Sequence, residues 1–261
     1  MKIIVPMTIA AILSEKTLPP RPLPVAISMV TIGLVVLLIA RQPDLGTSLL
    51  IGASGVYVLF FSGVRVMLLK NKWLNLLLLS SLLGGSLFLA WNYFLIAYQK
   101  RRILTLFNPE SDPLGSGYHI IQSKIAIGSG GFTGKGIAKG SQSQLDFVPE
   151  QSTDFIFSVL AEELGFLGVL LLIIIYSLII YRCLILSLRC EDNFSRLLGA
   201  SLTFVFFTYI FVNIGMVSGL LPVVGVPLPL ISYGGSSLIT LMASFGIIMS
   251  IHKHKGPRYL Q

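Results

Sequence analysis

The sequence predicts an all-α protein, a polytopic bundle of transmembrane helices with one large extracytoplasmic loop. Three observations carry that prediction. Of 261 residues, 54% are hydrophobic and only 11% are charged, where a soluble domain carries about 25% charged residues. Apolar runs long enough to cross a bilayer as helix, roughly 17–25 residues, recur along the chain. Alternating strands of about ten residues, the mark of a membrane barrel, do not. Helices and closed barrels are the structures that satisfy their own backbone in lipid.

The spans read as 3–14, 25–40, 45–63, 74–97, 155–181, 197–221 and 238–251, about seven helices in a single membrane domain covering 1–261. The first run is short and stops at Glu15 and Lys16 without a small-residue cleavage site, so no cleavable signal peptide is expected. The breaks at 15–24, 64–73, 182–196 and 252–261 together hold eleven Lys or Arg, whereas 41–44 and 222–237 hold only Arg41. That asymmetry places the first set, and the C-terminus, in the cytoplasm. The net charge of +8 is then a signature of orientation in a membrane, and nucleic acid is not an expected partner. Cys183 and Cys190 lie in or beside a basic break, without metal spacing or a disulfide framework, and are expected to be structural.

By the same alternation the stretch 98–154 lies outside the membrane. It is far longer than the usual connection of about 4–6 residues, and its interleaved Tyr118, Ile120, Ile121, Ile125, Phe132 and Phe147 disfavour disorder. The basic cluster KRR at 100–102 abuts a span on the outer side. Either a long loop tolerates it, or it meets an anion such as a lipid phosphate.

Four polar constellations interrupt the apolar pattern. FVPEQSTDFIFSVLAEELG, 147–165, opens a span with Ser152, Thr153 and Asp154. Capping of free helix N–H groups is the plainer account of these residues; a carboxylate at the interface acting as general base is the functional one. Glu162 and Glu163 follow roughly 12–14 Å further along the helix, and carboxylates at that depth face a partner or a polar interior. In RQPDLGTSLL, 41–50, Pro43 and Asp44 suit a helix start. PVVGVPLPLISYGGSS, 222–237, has too many prolines and glycines for a regular span and is expected to line a cavity. GSGGFTGKG, 128–136, lacks the GxxxxGK[ST] pattern, so nucleotide binding is not expected.

Together YHIIQSKIAIGSGGFTGKG, LDFVPEQSTDFIFSVLAEELGFLG, RQPDLGTSLL and NIGMVSGLLPVVGVPLPLISYGGSS resemble the SEDS family (shape, elongation, division and sporulation), over essentially the whole chain and in family order. GYHIIQSKIAIGSGG and VVGVPLP are more similar to its rod-elongation branch than to its division branch. The resemblance implies a core of a ten-helix family fold lacking the helices that precede the KIIVP segment. It implies a peptidoglycan glycosyltransferase of the bacterial cytoplasmic membrane, polymerising lipid II on the outer face beside a class B penicillin-binding protein. By the same resemblance Asp154 is the catalytic residue, and Lys2 and Asp44 belong to the same polar cavity. Arg102, in YQKRR, is expected to meet diphosphate.

The chemistry this implies is one inverting displacement. An α-linked prenyl-diphosphate glycan is attacked by a sugar 4-hydroxyl to give a β-1,4 link, so no covalent enzyme intermediate is needed. Asp154 would take the hydroxyl proton, and Arg102, Lys124 or a divalent cation (Mg or Mn) would neutralise the departing diphosphate. Two rivals stand beside it, a flippase for lipid II and a non-catalytic scaffold for the penicillin-binding protein.

Overall fold

The computed structural model describes residues 1–14, 18–42, 44–64, 80–81, 84–85, 88–112, 115–141 and 152–253. Among them are eight α-helices and no strand: α1 (Ile4–Ser14), α2 (Pro22–Ala40), α3 (Leu45–Phe61), α4 (Ala97–Phe107), α5 (Ser116–Ser129), α6 (Ile156–Leu188), α7 (Asn193–Val217) and α8 (Gly235–Lys253). A π-helical turn occupies Ala90–Phe94 and a 3₁₀ turn Pro109–Ser111. Of the expected span 74–97, residues 74–79, 82–83 and 86–87 fall outside the described residues. Most of α4 and all of α5 lie within the expected loop 98–154, of which residues 113–114 and 142–151 fall outside the described residues.

Three helices, α2, α6 and α7, are long and apolar enough to cross a membrane. α7 is the hub. It packs against α1, α3, α6 and α8, and its buried side chains run from Leu197 to Val217 on nearly every face. In contrast α2 buries only Ser28 and Ile32, and its exposed Leu23, Val30, Leu34 and Leu38 form a surface suited to lipid. Without a hydrophobic force between helices in a bilayer, association rests on close packing and interhelical hydrogen bonds. Both are present. A Cβ on Gly55 would lie 2.6 Å from Ile32 Cγ1, so α3 meets α2 closely because that position is glycine. Between α3 and α7, Ser201 Oγ donates to Ser54 O at 2.8 Å and the Tyr57 and Thr208 hydroxyls are 2.6 Å apart.

α6 runs from 156 to 188 but is broken at Gly165, whose φ of 64° and ψ of −164° lie outside helical space. Glycine adopts that backbone without a Cβ penalty. The inner segment after the break is about 35 Å long, enough for the hydrocarbon core. The outer segment, Ile156 to Leu164, is thereby free to follow a different axis.

Past the end of α7, residues 222–228 run without helix before the turn at 229–231 and the start of α8. They fold inward across the end of the bundle. Tyr176 of α6 donates from its hydroxyl to Pro229 O at 2.6 Å, and a Cβ on Gly46 at the start of α3 would lie 2.5 Å from Val224 O. This segment is therefore non-helical, as its prolines and glycines predict, and it packs on the start of α3 and the middle of α6.

Candidate active site

Asp154 sits one residue before Phe155, the N-cap of α6. A capping side chain occupies the N-cap position, which Phe155 takes in the helix that forms. The chain at 152–154 is held by its main-chain carbonyls. Tyr233 N donates to Ser152 O at 2.9 Å, the Ser232 hydroxyl donates to Thr153 O, and Asn213 Nδ2 donates to Asp154 O at 2.8 Å. Asn213 Nδ2 also donates to Val226 O at 2.6 Å. Three consecutive carbonyls thus accept from α7 and the broken segment. This clasp leaves the Asp154 side chain to be aimed separately.

The carboxylate is aimed along the broken segment. Gly225 has φ of 70°, and a Cβ there would lie 3.3 Å from Asp154 Oδ2. Any larger residue would crowd the carboxylate and strain its own backbone. Beyond it opens a cleft of about 560 Å³ lined by Tyr98, Arg101, Arg102, Asp112, His119, Asp154, Phe155, Val223 and Gly225, with Gly115 at its edge. Such a volume falls in the range of ligand pockets, about 300–1,000 Å³.

A cationic part of the lining comes from α4. Arg102 Nη1 donates to Val223 O at 2.8 Å, Nη2 donates to the Tyr98 hydroxyl, and the guanidinium carbon stands 4.5 Å from the Tyr98 ring centroid. Arg102 Nε is buried and has no hydrogen-bond partner among the described residues. Arg101 is committed differently, to Asp112 at 2.8 Å, with side chains 66% and 11% exposed. His119 of α5 stacks on Phe155 with ring centroids 5.7 Å apart, closing the third side.

Of the residues the sequence nominates, the structure brings Asp154 and Arg102 together in this cleft. Lys124 is exposed on α5, its stem against Gly219, and does not line the cleft. Lys2 lines a separate, largely apolar groove between α7 and α8, its ammonium 5.0 Å from the Tyr209 ring centroid. Burial lowers the Lys2 pKa from its usual value, and the Asp44 carboxylate raises it partly back. Asp44 caps α3, accepting from Thr47 N at 3.0 Å, as its position at a helix start predicts. The sequence reading passed over Tyr98, Asp112, His119, Asn213 and Gly225. Only Asn213 carried a local signal, an amide inside an apolar span.

A metal would need converging donors. No group of three His, Cys, Asp or Glu side chains does so among the described residues, so these residues form no cage for a resident cation. What the cleft offers is the Asp154 carboxylate and the Arg102 guanidinium on one lining, beside the Arg101–Asp112 pair and the His119 imidazole. Cys183 and Cys190 are buried, are not disulfide-bonded and do not line it.

The profile of the FtsW/RodA/SpoVE family, described as cell cycle protein, matches residues 1–256. Peptidoglycan glycosyltransferase MrdB of Escherichia coli (strain K12) is 52% identical over 254 residues, which are 97% of this chain and 67% of MrdB. Probable peptidoglycan glycosyltransferase FtsW of Trichlorobacter lovleyi is 37% identical over 223 residues, 85% of this chain and 56% of that protein. Among solved structures, a chain of a peptidoglycan synthase complex that coordinates polymerization and crosslinking matches with TM-score 0.76 and 31% identity, over 100% of this chain and 69% of its own. Rod shape determining protein RodA of Thermus thermophilus matches with TM-score 0.63 and 28% identity, over 97% of this chain and 63% of its own. The chain thus spans about two thirds of the length of these relatives.

Proposed function

The chain belongs to the FtsW/RodA/SpoVE family of cell-cycle proteins and is a peptidoglycan glycosyltransferase, and we propose that it polymerises lipid II by one inverting displacement in the Asp154 cleft. The observation that carries this reading is the juxtaposition of Asp154 and Arg102 across one cavity, from segments 52 positions apart in the chain.

The acceptor sugar presents its 4-hydroxyl to Asp154. Its oxygen attacks C1 of the donor sugar from the face opposite the diphosphate. The new C1–O bond forms as the C1–O bond to diphosphate breaks, and the hydroxyl proton passes to the Asp154 carboxylate. A base contributes typically 10²–10⁴-fold in such a step. Arg102 meets the negative charge that develops on the leaving prenyl diphosphate, its guanidinium already oriented by Val223 O and the Tyr98 ring. A preorganised donor of this kind costs no reorganisation as charge develops.

The protein is an integral membrane protein, and the Lys and Arg distribution supports a cytoplasmic C-terminus with the cleft at the outer face. There it would work beside a class B penicillin-binding protein that crosslinks the strands. The gathering of the cleft-lining polar groups at one end of the bundle favours chemistry at a surface over a path through it. That is the feature that separates a polymerase from a flippase.

The test is synthesis of glycan polymer from labelled lipid II by the purified chain and by Asp154→Ala. Polymer from the wild type, with at least a hundredfold less from the variant (roughly the share of a general base), is the expected result. Equal polymer from both would remove Asp154 from its role.

A further inference from the structure

The glycine-rich segment 130–136 that follows α5 and the break in α6 exchange main-chain hydrogen bonds. In an unbroken helix the amides of Phe166 and Leu167 would donate to Glu162 O and Glu163 O. Here they donate to Gly131 O at 3.0 Å and Phe132 O at 3.2 Å, while Glu162 O and Glu163 O accept from Lys135 N and Gly136 N, both at 3.0 Å. The two strands of chain approach so closely that a Cβ on Gly165 would lie 2.2 Å from Gly134 N. Across this exchange Lys135 Nζ stands 2.7 Å from Glu162 Oε1, with Glu162 0% exposed and Lys135 28%. Ser141 Oγ accepts from Lys135 Nζ at 2.9 Å and donates to Glu162 Oε1 at 3.3 Å. Glu163 Oε1 accepts from Ala138 N at 3.0 Å.

Neither Lys135 nor Glu162 lines the cleft, so the proposed chemistry has no use for their charges. Their place in the fold is what matters. α5 carries His119 on the cleft wall and runs directly into the exchange. The outer segment of α6 begins at Phe155, the ring on which His119 stacks, and ends at the same exchange about 12 Å away. The two cleft walls are therefore joined at both ends, by the His119–Phe155 stack and by the ion pair. Gly165 lets this outer segment take an axis of its own, so its tilt rests on the clasp at 152–154, the main-chain exchange and the ion pair rather than on the rest of α6.

We infer that the Lys135–Glu162 ion pair is a positioning element for Asp154, clamping the outer segment of α6 to the end of α5 and so setting the width of the cleft. The inference rests on the glycosyltransferase reading of that cleft. The simpler alternative is an ion pair that serves stability alone, since a buried carboxylate stripped of its partner is destabilising. The two differ in what the folded enzyme does. Loss of a positioning contact lowers kcat in molecules that remain folded; loss of a stability contact lowers yield and melting temperature and leaves kcat as it was.

The experiment measures kcat and KM for polymerisation of labelled lipid II by the full chain, for wild type, Lys135→Gln, Glu162→Gln and Lys135→Arg, with monodispersity and melting temperature on the same samples. Lys135→Gln is the decisive variant, because Lys135 is partly exposed and the main-chain exchange survives its loss. The expected result is a fall in kcat on the order of 100-fold, the cost of roughly 1 Å of misplacement, with KM little changed and most of kcat kept by Lys135→Arg. A folded Lys135→Gln enzyme with wild-type kcat would overturn the inference, as would failure of that variant to yield folded protein, which assigns the pair to stability. A wild type that makes no polymer removes the glycosyltransferase reading and the inference together, whereas an active wild type beside an equally active Lys135→Gln sinks the ion pair alone.

Discussion

Replacement of Asn213 by Ala tests how the Asp154 segment is held. The amide nitrogen serves two carbonyls at once, Asp154 O at 2.8 Å and Val226 O at 2.6 Å, and its truncation leaves both without that donor. In a membrane helix bundle an interhelical hydrogen bond is worth about 0.6 kcal/mol on average, which puts the two at about 1.2 kcal/mol. The upper bound is about 1–3 kcal/mol for each buried group left unsatisfied. Ser152 O and Thr153 O keep their donors in Tyr233 and Ser232, so the segment loosens at Asp154 without detaching. The expected outcome is a small fall in melting temperature with a disproportionate loss of turnover, on the order of tenfold or more for sub-ångström movement of the base. The assay is polymer formation from labelled lipid II, normalised to monodisperse protein. Adding Ser232→Ala should cost less than the two single losses combined, because both side chains hold one short segment. An Asn213→Ala enzyme with normal turnover, in a preparation where Asp154→Ala is inactive, would refute the clasp.

Two further substitutions probe the same cleft. Arg102→Lys keeps the charge but loses the fork that reaches Val223 O while stacking on Tyr98. Turnover should fall roughly tenfold or more, since lysine is not a conservative substitute for a stacked arginine, and a normal rate would remove the guanidinium from the leaving-group role. Gly225→Ala forces an L-residue to φ of 70° and sets a methyl group 3.3 Å from Asp154 Oδ2. The backbone alone costs about 1–2 kcal/mol, so kcat and melting temperature should both drop, and an unaffected enzyme would mean that the carboxylate does not depend on this approach.

The local features of the sequence reappear where local physics alone decides them. Apolar length gave α2, α6 and α7. Asp44 ahead of Leu45 became a helix cap, and the prolines and glycines of 222–235 became a non-helical segment. Motif resemblance pointed to Asp154 and Arg102 before any geometry was known. Each of these depends on residues near one another in the chain, or on a pattern shared with relatives.

The remaining decisions belonged to packing. Nothing local aims Arg102 at Asp154, or turns Lys124 out along Gly219 while His119, on the same helix, faces the cleft. The EELG step reads as continuous helix until the chain at 130–136 supplies the hydrogen bonds that let Gly165 leave helical space. Helical period and capping are short-range properties, so the sequence by itself determined which segments are helices and where they start. Which side chains share a cavity depends on how those helices cross, and on backbone groups that find partners only after the bundle has closed.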